Sequence, residues 1–212
     1  MTERPRLEAT AGTYRQRALL WRAARLVFVY HRRYEQQLAA LALLVSAALS
    51  ADPVLYIDDR WLYDVSAEIG PIVEFPLNSI APIVLRDGLD ITIAASGYST
   101  ELSLQASELL ANSGVSAEVI DIRSLNPYDP TVVNESVVKT GRLLVVDSGW
   151  ASCGFSSELI TSATISLPPQ TFKTSPKRVT LPPCPAPTSS TLETAYYPTV
   201  LSVVNAAQSL LS

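Results

Sequence analysis

Two kinds of hydrophobic pattern alternate along the chain from residue 83 to its end. Short apolar runs predict strands, and apolar residues that recur every three or four positions predict helices. The predicted strands are 83–85, 90–95, 115–122, 143–146 and 178–181. The predicted helices are 100–112, 130–140, 155–165 and 198–211. Strands that alternate with helices are typical of an α/β domain with a mostly parallel sheet.

Residues that cap helices mark the ends of two of these predicted elements. Ser99 or Thr100 is predicted to cap the helix over 100–112, and Gly114 follows its end. Asp129 is predicted as the N-cap of the helix over 130–140, which ends at Gly141. The sequence therefore gives these two helices defined boundaries.

The segment before this domain has less regular patterning. Asp52-Pro53 ends the preceding helical pattern, and Val54–Ile57 is predicted as a short strand. Proline and glycine within 64–82 predict an extended linker. A tight turn is then predicted at Asp87-Gly88.

Residues 13–50 contain no proline or glycine and are rich in Ala, Leu, Arg and Gln, which predicts one long helix or two shorter ones. Their longest apolar run, 38–49, has 12 residues, whereas a membrane span needs roughly 20. A secretory signal, an organellar transit peptide and a basic amphipathic surface helix remain alternatives. The favoured interpretation is a helix that packs on the following domain.

Charge divides the chain at about the same place. Residues 1–50 hold eight Arg and three acidic residues, a charge of +5, whereas residues 51–212 carry −9. The acidic part has no stripe of basic and aromatic residues, so a nucleic-acid partner is not predicted. The two parts differ enough in composition to need separate explanations.

Few residues suit catalysis or metal binding. The chain has one histidine, His31, and two distant cysteines, Cys153 and Cys184. This excludes a disulfide framework and the common zinc sites, and no phosphate-binding glycine loop or G-x-S-x-G motif is present. Asp58-Asp59-Arg60 is the remaining candidate, because it follows a predicted strand, where α/β proteins place functional residues. The alternative is a surface turn with a weak ion pair.

Five segments together resemble a known family. They are DPVLYIDDRWLY (52–63), LRDGLDITIAASG (85–97), AEVIDIRSLNPYD (117–129), KTGRLLVVDSGWASCGFSSELI (139–160) and RVTLPPCPAPTSSTLETAYYP (178–198). They resemble the C-terminal portion of the beta subunit of thiamine-diphosphate-dependent 2-oxoacid dehydrogenases of the pyruvate type, and more broadly the transketolase C-terminal domain.

The resemblance implies a three-layer α/β domain over 83–212. Residues 51–82 would be the last strand of a pyrimidine-type domain plus a linker, and residues 1–50 an Arg/Ala-rich helical segment. In that family the pyrimidine domain holds the cofactor ring beside an activating glutamate, and the alpha subunit binds the diphosphate and magnesium. The glutamate has no counterpart here, so we expect this chain alone to bind neither cofactor nor metal.

The resemblance also marks a departure at the candidate site. Family members often carry Glu-His-Arg after the strand, where this chain has Asp58-Asp59-Arg60. Asp59 would thus replace the histidine, and Arg60 would lie beside it as a second catalytic candidate. An aspartate side chain is ionised at neutral pH and therefore cannot donate a proton there unless its pKa is raised.

The resemblance therefore predicts a truncated or split beta-type subunit that contributes to assembly and is inactive alone. An alpha-type subunit and an acyltransferase core are the implied partners, in a homo- or hetero-oligomer. A non-catalytic interaction module, or a standalone fragment without activity, is the alternative. The expected location is the cytoplasm, and an organelle or membrane reached through residues 1–50 is the less favoured one. We interpret the composition break near residue 50 as a truncation or a misplaced start.

Overall fold

The computed structural model describes residues 43–57, 59, 61 and 80–212, together with the backbone of Arg25–Phe28. The strands are β1 (Arg25–Phe28), β2 (Val54–Ile57), β3 (Ile83–Arg86), β4 (Ile91–Ala95), β5 (Ala117–Asp121), β6 (Ser124–Asn126), β7 (Leu143–Trp150) and β8 (Lys177–Leu181). The helices are α1 (43–49), α2 (Tyr98–Asn112), α3 (Thr131–Thr140), α4 (Phe155–Ser166), α5 (Ser190–Tyr196) and α6 (Val200–Leu211), with a 3-10 turn at Pro169–Thr171.

The main sheet has five strands in the order β3-β5-β4-β7-β8. The strands β5, β4, β7 and β8 run parallel, and β3 pairs antiparallel with β5 at one edge. Every residue of the central strand β4 is buried. This is the pattern expected of a parallel strand that is covered on both faces, because each crossover helix lies on one face or the other.

Two apolar clusters cover the two faces of this sheet. On one face, Ile91 and Ile93 of β4 pack with α2 and α6, to which Leu110 and Leu210 belong. On the other face, Ala94 of β4 packs with helices α3 and α4. The predicted three-layer α/β architecture with a mostly parallel sheet is therefore confirmed.

Three buried polar side chains tie helix α3 to the sheet through hydrogen bonds, and a fourth pairs with a lysine of that helix. The Thr92 hydroxyl lies 2.6 Å from the Ser136 hydroxyl and 2.8 Å from that of Thr140, which ties β4 to α3. The Glu118 carboxylate on β5 accepts a hydrogen bond from the Lys139 ammonium. A buried polar group is costly only when it lacks such a partner, so these residues are compatible with a dry interior.

The connection at Asp87-Gly88 is not the tight hairpin turn predicted from the sequence. Strand β5 lies between β3 and β4 in the sheet, so the two strands that this dipeptide joins are not neighbours. A Cβ on Gly88 would lie 2.1 Å from the backbone nitrogen of Glu118. Glycine is present here because the connection passes directly against the β5 backbone, which leaves no room for a side chain.

The predicted helix caps are confirmed in part. Gly141 ends α3 in the left-handed conformation, with φ of 76°, and Gly114 follows α2 with φ of 78°. The prediction of Ser99 or Thr100 as N-cap of α2 is wrong, because the helix starts earlier and Gly97 is its N-cap. The N-cap of α3 is Pro130, although the Asp129 carboxylate accepts the hydrogen bond of the Thr131 N–H at 3.0 Å.

The smaller sheet has three strands in the order β2-β1-β6. Strand β1 runs parallel to β2 and antiparallel to β6, so the N-terminal part of the chain is joined to the main domain. Val54 and Tyr56 of β2 pack beside a small buried cluster of Leu43 and Ile80. Among the described residues, the buried apolar cluster beside this sheet is therefore much smaller than the two clusters on the main sheet.

The helix predicted over 13–50 is confirmed at 43–49 and wrong at Arg25–Phe28. That tetrapeptide, RLVF, contains Val and Phe, which favour strands, and both β2 and β6 offer backbone partners. The rest of the predicted helix, including His31, lies outside the described residues, as does 64–79 of the predicted linker. Within the described residues, no helix has the length and apolar character needed to cross a membrane.

Candidate functional site

A cleft of about 580 Å³ opens where the end of the small sheet meets the first turn of α2 and the α5–α6 connection. Parts of the chain that are far apart in sequence line it. The lining residues are Asp59, Trp61, Tyr98, Leu102, Gln105, Ser148, Ser190, Glu193, Thr194, Tyr197, Pro198, Thr199 and Val200. The cleft contains Asp59, one of the two catalytic candidates that the resemblance implied.

Asp59 caps helix α2 from a distant part of the chain. Its Oδ2 accepts a hydrogen bond from the Tyr98 N–H at 3.1 Å, and its Oδ1 accepts one from the Trp61 N–H at 3.2 Å. A carboxylate at a helix N-terminus satisfies a free backbone donor and interacts favourably with the helix dipole. This contact explains why α2 begins at Tyr98, ahead of the predicted start.

The structure gives Asp59 a capping role, and its catalytic role stays a prediction. Asp58 and Arg60, the other two residues of the motif, lie outside the described residues. Both Asp59 oxygens accept backbone hydrogen bonds, one from the nearby Trp61 and one from the distant Tyr98, and the alternative of a surface turn with a weak ion pair also stays a prediction. Asp59 holds the end of the small sheet against the main domain.

Aromatic rings form one wall of the cleft. The ring of Trp61 stacks on Tyr98 with centroids 5.8 Å apart and an interplanar angle of 27°. Tyr197 meets Trp61 edge to face at 5.7 Å, and Tyr196 meets Tyr197 in the same way at 5.1 Å. The Trp61 side chain remains 58% exposed, so the wall presents an open aromatic surface.

The remaining lining combines the apolar side chains Leu102, Pro198 and Val200 with polar and acidic ones. Glu193 lies on α5 and brings a carboxylate to the cleft. Gln105 donates a hydrogen bond to the Glu101 carboxylate, and the Ser148 hydroxyl lies 2.8 Å from that of Ser99. No Lys, Arg or His is present among the described residues that line the cleft.

These residues do not fit a diphosphate and its metal ion. Diphosphate binding requires cationic side chains or free backbone N–H groups, and the described lining has carboxylates at Asp59 and Glu193 instead. Within the described part of the chain, no group of three or more His, Cys, Asp or Glu residues could hold a metal. The described lining of this cleft is therefore unsuited to binding thiamine diphosphate.

A buried acid lies behind the first turn of α2. Asp121 ends strand β5, and burial raises the pKa of its carboxyl from 3.8 to about 7. The hydrogen bond from the Thr100 hydroxyl, at 3.1 Å, and the charge of Arg123 lower that pKa in part. Arg123 itself donates two hydrogen bonds to the Ala81 carbonyl, and burial lowers its pKa.

Sequence reasoning missed every lining residue except Asp59. Trp61 and Tyr197 both belong to segments that resemble the family, yet no local pattern shows that they meet. Helix α5, which carries Glu193, lies in a proline-rich stretch and is not among the helices predicted from the sequence. The two cysteines, Cys153 and Cys184, are free and exposed, which agrees with the absence of a predicted disulfide framework.

Comparison with known proteins matches the main domain to a family. The family described as transketolase, C-terminal domain, matches residues 82–203, more than half of the chain. The structure of an inactive β4 tetramer of a split-gene transketolase superposes with a TM-score of 0.70 at 25% sequence identity. The superposition covers 89% of this chain and 57% of that one.

Curated relatives agree with this match. The beta subunit of acetoin:2,6-dichlorophenolindophenol oxidoreductase from Cupriavidus necator is 34% identical over 169 residues, which cover 78% of this chain and 48% of the relative. The mitochondrial pyruvate dehydrogenase E1 component subunit beta of Ascaris suum is 33% identical over 177 residues, which cover 82% and 49%. This chain spans about half the length of these relatives. It belongs to the transketolase C-terminal domain family.

Proposed function

We propose that the chain is a split beta-type subunit of a thiamine-diphosphate-dependent 2-oxoacid dehydrogenase or a related two-carbon-transferring enzyme. In this role it contributes to subunit assembly and not to the cofactor site. The main support is the match itself: the family model matches residues 82–203, and the aligned residues cover about half of each relative, which is a beta subunit.

The domain boundaries that we propose follow from this assignment. Residues 83–212 form the C-terminal domain, residues 51–82 hold a remnant strand and a linker, and residues 1–50 form a separate N-terminal segment. Strand β2 is the remnant strand, and it ends next to Asp59, which contacts the main domain.

The cofactor would be bound by partner chains. The described lining of the cleft contains carboxylates and no cationic side chain, so a diphosphate would be repelled from it. An alpha-type subunit would supply the diphosphate and magnesium site, and a pyrimidine-domain chain would supply the activating glutamate. The acyltransferase core is the further partner in a dehydrogenase assembly. A cytoplasmic location stays a prediction, since one relative is a bacterial protein and another is mitochondrial.

One exposed apolar side chain on the small sheet fits an assembly role. Leu55 of β2 is 56% exposed. Apolar surface that is left open in one chain often marks a contact with another. A partner chain would then pack beside β2.

Reconstitution tests this function. The chain is mixed with an alpha-type subunit, thiamine diphosphate, magnesium and pyruvate or acetoin, with and without a separately expressed pyrimidine-domain half of a relative. Reduction of 2,6-dichlorophenolindophenol reports turnover, and size-exclusion chromatography reports association. We expect association with the added chains and turnover only when the pyrimidine half is present.

Matched variants locate the contact. Leu55→Asp should weaken association, because it places a charge on the surface that the partner would cover. Ile165→Asp is the control, since Ile165 is 79% exposed on α4, away from the small sheet. Turnover by the chain with substrate and cofactor alone would contradict the proposal. Association without turnover in the complete mixture would favour the alternative, a non-catalytic interaction module.

A further inference from the structure

The cleft has the dimensions and the composition of a small-molecule site. Its volume of about 580 Å³ lies within the range of roughly 300–1,000 Å³ that is usual for such sites. Aromatic and aliphatic side chains line it together with a few polar groups, which is also usual. We propose that this cleft binds a small organic cation that carries a flat aromatic group.

The aromatic wall supplies the surface for stacking. Trp61 stacks on Tyr98 and meets Tyr197 in a T-shaped contact, so its ring is already oriented before a ligand arrives. Its 58% exposure leaves ring surface open to a second flat group. Aromatic rings attract cations through the negative charge of their faces, and Trp does so best.

The acidic lining selects positive charge. Among the described residues, no side chain donates a hydrogen bond to the Glu193 carboxylate, so its charge is directed to solvent and the cleft. Asp59 adds a second carboxylate, which two backbone N–H groups screen in part. A cleft lined by one sign of charge raises the local concentration of the opposite sign.

An anionic ligand is the main competing interpretation, because helices α2 and α6 both begin at the cleft. A helix N-terminus carries about half a positive charge. The N-terminus of α2 is already capped by Asp59, and the N-terminus of α6 is capped by the reciprocal hydrogen bonds between Thr199 and Ser202. The carboxylates of Asp59 and Glu193 each carry a full negative charge, whereas the helix N-termini carry only partial positive charges and already have capping partners. A cation is therefore favoured over an anion.

Binding of a matched probe pair tests this preference. Benzamidine is flat, aromatic and positively charged at pH 7, and benzamide has nearly the same shape without the charge. Titration calorimetry on the full chain should show that benzamidine binds about tenfold more tightly than benzamide. Benzoate, the anionic probe of the same size, should bind more weakly than either.

Two variants assign the binding to the named residues. Glu193→Gln should reduce the preference for benzamidine over benzamide about fivefold, whereas Glu135→Gln, on the exposed surface of α3, should leave it unchanged. Trp61→Ala should weaken both probes, and Trp61→Phe should restore part of that loss because the ring is kept. Circular dichroism checks that each variant is folded.

Several results would overturn the assignment. They are equal affinity for the two probes, a preference for benzoate, or a benzamidine preference that is as large in Glu193→Gln as in the wild type. These measurements need no partner chain and no turnover. The outcome is therefore independent of whether the chain assembles as a beta-type subunit.

Discussion

The two sheets of this chain differ in how fully they are covered. In the main sheet, every residue of β4 is buried, and helices pack on both faces. In the small sheet, no residue of β2 is fully buried, and Leu55 is 56% exposed. Among the described residues, Val54 and Tyr56 of β2 pack beside the small cluster of Leu43 and Ile80, and Leu125 of β6 packs against one cluster of the main domain.

This difference shows where the stability of the fold resides. Burial of apolar surface contributes about 25 cal/mol per Å², so the region with two covered faces dominates the free energy of folding. That region coincides with the family match at residues 82–203. The small sheet keeps its geometry through backbone pairing and a few contacts with the main domain, such as the one made by Asp59.

Truncation of one side chain in each sheet gives the largest expected contrast. Ile93→Ala should lower the free energy of unfolding by about 4 kcal/mol, because it leaves a cavity between β4, α2 and α6. Leu55→Ala should cost less than about 0.5 kcal/mol, since an exposed side chain loses little burial. Urea denaturation followed by far-UV circular dichroism measures both changes.

Ile93→Val serves as the graded control, with an expected cost of about 1 kcal/mol. If Ile93→Ala and Leu55→Ala lower the free energy of unfolding by the same amount, the two sheets contribute equally to stability and the inferred difference between them is wrong. A large loss in Leu55→Ala alone would show that β2 is covered in solution, for example by a second copy of the chain.

The buried Asp121 gives the stability of the main sheet a pH dependence. Its folded pKa of about 7 exceeds the unfolded value of 3.8, so ionisation opposes folding. The cost begins near pH 4, grows up to about pH 7 and is constant above that. Asp121→Asn should therefore stabilise the protein by about 2–4 kcal/mol at pH 8 and have almost no effect at pH 4.

Urea titrations of the wild type and Asp121→Asn at pH 4, 6 and 8 measure this effect. Asparagine can still accept the hydrogen bond of the Thr100 hydroxyl, so the change tests the charge more than the contact. Glu135→Gln on the exposed face of α3 is the control, with no expected change in the pH slope. Destabilisation of Asp121→Asn at pH 8 would mean that the carboxylate is stabilised, most directly by Arg123.

The alternation of strands and helices in the main domain was predictable because its signals are local. The run LLVV predicts a buried strand, and the spacing of Val203, Ala207 and Leu210 predicts the face of α6 that packs on the sheet. The strand order was not predictable in this way. An Asp-Gly pair is typical of a tight turn. In the structure, however, glycine is required at position 88 because the backbone of β5, about thirty residues later, leaves no room for a side chain.

Only one residue of the candidate site was predictable from the sequence. Asp59 could be found because it follows a strand in a segment that resembles the family. Its partner Tyr98 is 39 residues away, and Tyr197 approaches only when α5 and α6 have folded. The strand at Arg25–Phe28 was missed for a related reason, since its pairing with β2 and β6 overrides the helical composition around it.

Removal of the contact between the two regions gives a small expected change in stability and the sharpest test of their coupling. Asp59→Ala should cost about 1 kcal/mol, the usual effect of losing a helix cap. It should also speed hydrogen exchange at the Tyr98 amide and in β2, because the end of the small sheet is released. Asp59→Asn keeps an oxygen acceptor and should cost less than half as much.

Asp90→Ala is the matched control for this prediction. The Asp90 carboxylate also accepts a backbone hydrogen bond, from the Ser116 N–H at 2.7 Å, but both residues belong to the main domain. Its removal should lower stability by a similar amount and leave exchange in β2 unchanged. If both variants speed exchange in β2 equally, the small sheet follows the stability of the whole fold. Asp59 would then not be the residue that couples the two regions.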